Sequence, residues 1–131
     1  MKKLNYLVVL TAAFLLSCKK EAGEGGFASI EGKVYVKNYD PFFSFITSQY
    51  YLPGETVYII YGDNKDVGNT VKTSYDGSFK FNYLQKGKYT IYVIGEDSSI
   101  ANRSNPKIEL REVTITSKKQ SESLSDLVIL K

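Results

Sequence analysis

The chain lacks histidine and tryptophan, and it has one cysteine, Cys18, among 131 residues. Without histidine it cannot form histidine-based zinc sites, serine–histidine or cysteine–histidine nucleophile pairs, or an imidazole general base. A single cysteine excludes an intramolecular disulfide. No glycine-rich loop of the P-loop or dinucleotide-binding type follows a strand. We therefore predict a non-enzymatic protein with no catalytic residues, no metal and no cofactor.

A long hydrophobic run is also missing. The apolar stretch from Leu4 to Leu16 has 13 residues and includes Asn5, whereas a membrane-spanning helix needs roughly 20. Lys2 and Lys3 precede this stretch and Ser17-Cys18 follow it, which is typical of a secretory signal peptide. An N-terminal anchor helix is the alternative interpretation. We predict a signal peptide over residues 1–17.

The end of this segment, Leu15-Leu16-Ser17-Cys18, resembles the bacterial lipobox. The resemblance implies diacylglyceryl transfer to the Cys18 sulfur and cleavage before that residue. A free thiol beside an ordinary cleavage site is the alternative. Two or three acyl chains would hold the protein stably on a membrane. Residues 18–26, rich in glycine, are then predicted to be the acylated cysteine and a flexible tether.

The charge pattern bears on location and partners. Removal of Lys2 and Lys3 with the signal peptide leaves 15 basic and 14 acidic residues, a net charge of +1. A near-neutral chain with interspersed signs gives no basis for nucleic-acid binding. Inner-membrane retention signals of enteric lipoproteins have an aspartate directly after the acylated cysteine, whereas this chain has Lys19. The sequence Lys19-Lys20-Glu21 only weakly resembles a Bacteroidetes surface-export signal. We expect a lipid anchor in the outer membrane, on either its periplasmic or its surface face.

The stretch from Tyr75 to Gly95 alternates apolar and polar residues on both sides of Gln85-Lys86-Gly87. This period of two predicts a pair of antiparallel strands, with Asp76-Gly77 as the preceding turn. One face of each strand is expected in the core: Phe79, Phe81 and Tyr83 on the first, and Tyr89, Ile91 and Val93 on the second.

The same stretch resembles the signature of carboxypeptidase regulatory-like (transthyretin-like) domains, in which a Gly-x-Phe strand precedes Gly-x-Tyr-x-Ile-x-Val. The resemblance covers roughly residues 27–131. It implies a transthyretin/prealbumin-like, Ig-like β-sandwich that serves as an accessory or spacer module, and it brings no catalytic residues.

The rest of the chain fits the same architecture. A parity change in the sixth strand, where Ile108 and Leu110 alternate out of phase with Val113 and Ile115, predicts a β-bulge near Arg111-Glu112. Apolar residues on both faces of the strand at 55–61 predict that it is covered on both sides, at least in part. We predict an all-β, seven-stranded antiparallel β-sandwich. Its remaining strands are expected at 28–37, 55–61, 70–75, 107–116 and 124–130.

The segment from Pro41 to Pro53 is the least regular part of the domain. It contains five aromatic residues, where connecting loops are normally polar. So many exposed apolar side chains would form a patch that monomers avoid unless it is used. The segment either caps a sheet edge or presents aromatics to a partner. Tyr50 and Tyr51 are the candidate partner-binding residues.

Three functions remain open at this stage. The first is a lipid-anchored structural or interaction module of the cell envelope, with an envelope protein as its partner. The second is a glycan- or peptide-binding accessory of an outer-membrane uptake system. The third is a small hydrolase based on carboxylates such as Glu109 and Glu112, which are more typical of solvated surface acids. The run Asp63-Asn64-Lys65-Asp66 lacks calcium-loop spacing and predicts a turn rather than a metal site.

Overall fold

The computed structural model describes residues 21–99 and 105–131, and in these ranges the chain is all-β without a helix. Consequently no helix of the described part is long and apolar enough to cross a membrane. The strands form two sheets with a common core, consistent with the predicted β-sandwich. In chain order they are β1 (Glu24–Tyr39), β2 (Ile46–Tyr51), β3 (Thr56–Tyr61), β4 (Asn69–Lys72), β5 (Ser78–Leu84), β6 (Gly87–Glu96), β7 (Pro106–Ile115), β8 (Ser121–Ser123) and β9 (Leu127–Leu130).

Strand β1, with 16 residues, organises the five-stranded sheet. Its first half pairs with β5 in antiparallel fashion and with β8 in parallel fashion. Its second half pairs with β2 (antiparallel) and β9 (parallel). The four-stranded sheet has the order β4-β3-β6-β7 and is antiparallel throughout.

The described residues thus form nine strands where the sequence predicted seven. Strand β2 lies in the aromatic segment that had no clear period, and β8 lies at the start of the C-terminal region that was predicted to hold one strand. The purely antiparallel expectation also fails at β8 and β9. Both strands pair with β1 over only three or four residues, so neither carries enough alternation to be recognised in isolation.

The core lies between the two sheets and confirms the predicted alternation in most strands. Phe79 and Phe81 on β5 meet edge to face, with ring centroids 6.1 Å apart. Tyr89 and Ile91 on β6 are almost fully buried opposite them. Each large apolar side chain removed from water in this way contributes about 1.5–3 kcal/mol. The buried cluster comprises Ala28, Ile30, Val34, Val36, Val57, Ile59, Phe79, Phe81, Leu84, Tyr89, Ile91, Val93, Ile115, Leu127 and Ile129.

Tyr83 departs from the predicted pattern. It was expected to share the core face with Phe79 and Phe81, but its side chain is 74% exposed. Its backbone is left-handed, with φ of 59°, and the register of β5 on β1 shifts there, so that Leu84 pairs with both Glu24 and Ala28. This irregularity inserts one residue, and Leu84 takes the buried position that alternation assigned to Tyr83.

The bulge predicted in the sixth strand is absent. Strand β7 pairs with β6 over ten consecutive positions without a shift, and Ile108 and Leu110 simply face outward. The residues on the inward side include Glu109 and Arg111. Arg111 Nη1 contacts Glu109 Oε1 at 2.7 Å, and Arg111 Nη2 donates to the Asp126 carbonyl at 2.7 Å. Because these charges are paired at the sheet edge, inward orientation does not leave them unsatisfied.

The sandwich begins earlier than the predicted boundary at residue 27. Of the predicted tether, Glu21 and the residues that follow it are described, and β1 already starts at Glu24. The Tyr89 hydroxyl accepts a hydrogen bond from Gly23 N at 2.9 Å, and Gln85 N donates to Gly23 O at 2.9 Å. Residues 22–26 therefore pack on the domain.

The strand connections define two ends of the sandwich, which we call proximal and distal. The proximal end is where the chain enters the domain. Hydrogen bonds from Gly62 N to Lys88 O and from Ser29 N to Gln120 O bring connections together at this end. Its segments are 21–23, 62–68, 85–86 and 116–120. The distal end holds the described connections at the other ends of the strands, residues 40–45, 52–55, 73–77 and 97–99.

Candidate binding surfaces

A tight turn at the distal end presents aromatic side chains to solvent. The buried carboxylate of Asp40 accepts hydrogen bonds from the backbone N–H groups of Phe42, Ser44 and Phe45. Phe43, with φ of 53°, stacks on Tyr39 at a centroid distance of 5.3 Å. The turn is thus fixed by its own hydrogen bonds, and it leaves Phe42 74% exposed, with Phe45 also exposed.

Strand β2 follows this turn and lies at the edge of its sheet. It pairs with β1 on one side, and no other strand of the described residues pairs with it. All six of its residues are exposed. The segment therefore covers part of the edge of β1 with its backbone, as a cap would, while its side chains stay available to a partner.

The two tyrosines predicted as partner-binding residues are both exposed, but they do not form one surface. Tyr51 lies opposite Tyr35 and Tyr50 lies opposite Val36. Because neighbouring residues of a strand point to opposite faces, Tyr51 is on the outer face of the sheet and Tyr50 on the face that carries the core. A partner that binds both must wrap around the free edge of β2.

Tyr51 belongs to a cluster of aromatic and charged side chains on the outer face. Its ring meets Tyr35 edge to face at 5.1 Å, and Lys33 Nζ lies 4.8 Å from its centroid. Its hydroxyl donates to Asp126 Oδ2 at 3.0 Å. The hydrogen bond to Asp126, together with the negative charge of that carboxylate, raises the pKa of Tyr51.

The cluster continues towards the turn before β5. Lys33 Nζ lies 3.8 Å from Asp76 Oδ2. Hydrogen bonds from the hydroxyl and backbone N–H of Ser78 lower the pKa of Asp76, and Lys33 adds a smaller effect in the same direction. Asp76 and Asp126 thus both belong to polar networks on this face.

An open depression of about 720 Å³ adjoins the cluster. Lys33 and Asp126, both partners of Tyr51, line it. Its other lining residues include Glu31, Ser74, Ser78, Lys80 and Ser123. The Tyr51 ring can pack on the apolar ring face of a ligand, and the neighbouring hydroxyl and carboxylate groups can hydrogen-bond to the ligand's polar substituents.

The outer face of the four-stranded sheet carries a second apolar surface, which the sequence reasoning did not identify. Tyr58 and Tyr92 are cross-strand partners whose rings stack 4.8 Å apart at 10°. Leu110 pairs with Tyr92, and Ile108 pairs with Ile94. Tyr58 and Ile60, on this face of β3, are half-buried, as the predicted partial coverage of the strand requires. The sequence did contain a signal for this surface, because Ile108 and Leu110 alternate out of phase with Val113 and Ile115. We interpreted that change of phase as a bulge.

The remaining predicted residues are placed as follows. Cys18 lies outside the described residues. The Asp63–Asp66 run is an exposed turn, and the described residues hold no group of acidic, histidine or cysteine side chains suited to a metal ion. Glu109 and Glu112 point to opposite faces of β7, so that strand does not bring them together as a catalytic pair.

No protein-family model matches the chain, and no curated protein matches it either. Among solved structures, a candidate carbohydrate-binding protein from Pseudomonas aeruginosa is similar with a TM-score of 0.45 and 13% sequence identity. The match covers 88% of this chain and 93% of the other. At this similarity it carries no argument about function.

Proposed function

We propose that the protein is an outer-membrane lipoprotein, acylated at Cys18, whose single β-sandwich is a non-enzymatic interaction module of the cell envelope. The lipobox-like sequence and the sole cysteine support the anchor. The absence of histidine supports the lack of catalysis. We also propose that the fold type is carboxypeptidase regulatory-like, because the Phe79–Phe81 and Tyr89–Val93 alternation that carries this resemblance forms the centre of the core.

The observation that carries the interaction function is the exposed aromatic surface on β2 and its turn. Phe42 and Phe45 are held in solvent by an ordered turn rather than by packing on the domain. Strand β2 adds an unpaired backbone edge beside them. An extended segment of a partner protein can pair with such an edge while its side chains contact the flanking aromatics. This surface lies at the distal end, away from the proposed anchor.

The partner-binding proposal is tested by photo-crosslinking in cells. A photoreactive residue at Phe45 should give a discrete crosslinked partner, whereas the same residue at Tyr75, which is exposed but off β2, should not. Ile46→Lys should abolish the crosslink and leave the denaturant midpoint unchanged, because Ile46 is exposed. Equal crosslinking from Phe45 and Tyr75, or an unaffected crosslink in Ile46→Lys, would contradict a specific surface on β2.

The anchor is tested separately with Cys18→Ala. This variant should lose incorporation of labelled fatty acid and move from the detergent phase to the aqueous phase, because no other cysteine can accept the lipid. A protein that stays labelled and detergent-bound would overturn the lipoprotein assignment.

The depression beside Tyr51 favours a second candidate function, the binding of a glycan. The cluster that adjoins the depression combines the exposed ring of Tyr51 with the carboxylates of Asp76 and Asp126, and Asp126 also lines the depression. We expect oligosaccharide binding, measured by calorimetry on a soluble form beginning at Lys19, to weaken in Asp126→Ala and to persist in Ile46→Lys. Oligosaccharide binding that is unchanged in Asp126→Ala would contradict a glycan site in this depression.

A further inference from the structure

The position of Ala22 limits how far the domain can lie from a lipid on Cys18. Ala22 packs against Gly87 so closely that a Cβ on that glycine would lie 2.6 Å from the Ala22 Cβ. Four Cα–Cα steps separate Cys18 from Ala22, and a fully extended chain covers at most about 14 Å over them. A domain acylated at Cys18 must therefore keep its proximal end close to the bilayer.

The proximal end exposes large apolar side chains. Phe27 is 70% exposed, Tyr83 is exposed on its left-handed backbone, and Val67 is exposed in the connection between β3 and β4. Phe27 lines a depression of about 420 Å³ together with Lys86 and Lys118. Aromatic rings next to lysines are the side chains favoured at the boundary between membrane and water.

The charges of the two ends differ in sign. The proximal segments at 21–23, 62–68, 85–86 and 116–120 carry four lysines and three acidic residues. The distal connections at 40–45, 52–55, 73–77 and 97–99 carry four acidic residues, of which Glu55 is paired with Lys131 and Asp76 with Lys33. An anionic lipid surface therefore favours contact with the proximal end over contact with the distal end.

We propose that the proximal end docks on an anionic phospholipid bilayer, with Phe27 and Tyr83 in the interfacial region and Lys86 and Lys118 at the phosphates. The proposal rests on acylation of Cys18, which brings this end to the membrane. Acyl chains and a basic aromatic surface then act as two membrane-binding signals on one end of the domain. Docking would orient the sandwich so that β2 and its turn point away from the lipid.

The experiment uses the acylated full-length protein in vesicles of phosphatidylethanolamine with a minor fraction of phosphatidylglycerol, all with brominated acyl chains. Because the chain has no tryptophan, Phe27→Trp supplies a single reporter at the proximal end. Phe42→Trp is the matched control at the distal end, since Phe42 is equally exposed. We expect strong quenching by the brominated chains in Phe27→Trp and none in Phe42→Trp.

A second variant tests the charges. Lys86→Glu and Lys118→Glu are added to Phe27→Trp. The equilibrium should then shift towards the undocked orientation by roughly tenfold or more, which is the scale expected for two surface lysines. The quenching should also fall when phosphatidylcholine replaces phosphatidylglycerol. Neither lysine has an ion-pair partner among the described residues, and both are exposed, so the unfolding midpoint should not change.

The outcomes separate this inference from the anchor itself. If both reporter proteins float with the vesicles but their quenching is equal, or absent in both, the docked orientation is wrong and the anchor stands. If neither protein floats with the vesicles, the acylation proposal fails and the docking proposal fails with it.

Discussion

The hydroxyl of Tyr89 is the most informative single group to remove. The side chain is almost fully buried, and its hydroxyl accepts from Gly23 N at 2.9 Å and donates to Gln85 O at 2.7 Å. A net contribution of about 1 kcal/mol for each bond gives a loss of about 2 kcal/mol for Tyr89→Phe. In a domain of this size that corresponds to a fall in Tm of roughly 8 °C.

The assay is thermal unfolding of a soluble form beginning at Lys19, combined with amide hydrogen exchange. Residues 22–26, the entry segment, are held in part by the hydrogen bond from Gln85 N to Gly23 O. Exchange of the Gln85 amide should therefore accelerate in Tyr89→Phe as this segment loosens. Tyr92→Phe is the control, because that ring lies stacked on Tyr58 on the outer face, and its stability should stay within about 0.5 kcal/mol of the wild type. Equal stability of the two variants would refute the argument that Tyr89 holds the entry segment.

Three further predictions follow from the core, the distal turn and the tyrosines. Phe81→Ala should cost about 3–5 kcal/mol, whereas Lys80→Ala, on the solvent side, should stay within about 0.5; equal shifts in the denaturant midpoint would contradict the register. Asp40→Ala should cost about 1–3 kcal/mol, because backbone N–H groups lose their acceptor; an unchanged urea midpoint would show that the turn does not depend on it. Burial, followed by the charge of Glu24, raises the pKa of Tyr61 from its ordinary 10.0 to about 12. The folded state then keeps a proton that the unfolded state loses, so stability should fall between pH 10 and about 12, less steeply in Tyr61→Phe; identical slopes would disprove this coupling.

The sequence was sufficient for the parts of the fold that depend on local alternation. Strands β5 and β6 and most of their core residues follow from a period of two, because one face of each strand is buried. Tyr83 could not be placed in this way. Its left-handed backbone follows from how β5 meets the entry of β1, and that contact joins residues about 60 positions apart.

Charged residues misled the interpretation of β7. Alternation treats charges as solvent-facing, but Glu109 and Arg111 face inward at a sheet edge and are satisfied by each other and by the Asp126 carbonyl. The inward orientation depends on a segment far along the chain, which no local pattern reveals. The parallel pairing of β8 and β9 with β1 has the same cause, since short strands gain their register from the partner.

The candidate surfaces show a similar division. The exposure of Tyr50 and Tyr51 was predictable, because residues 41–53 contain more aromatic side chains than connecting loops normally do. The cluster around Tyr51 was not, because its hydrogen-bond partner Asp126 is 75 residues away. Alternation along a strand does predict that adjacent tyrosines face opposite ways, but only once β2 is recognised as a strand.

The pairing of β1 has a consequence for how the protein folds. Ser29 on β1 contacts Ser121 on β8, 92 residues later, so one flank of the longest strand stays open until residues 121–130 arrive. Contacts between such distant residues slow folding, because the chain loses entropy before the sheet is complete. During synthesis, β1 would emerge early and remain with an unpaired edge, which is the kind of surface that aggregates or recruits a chaperone. Late closure of that edge by β8 and β9 would commit the domain to its folded state.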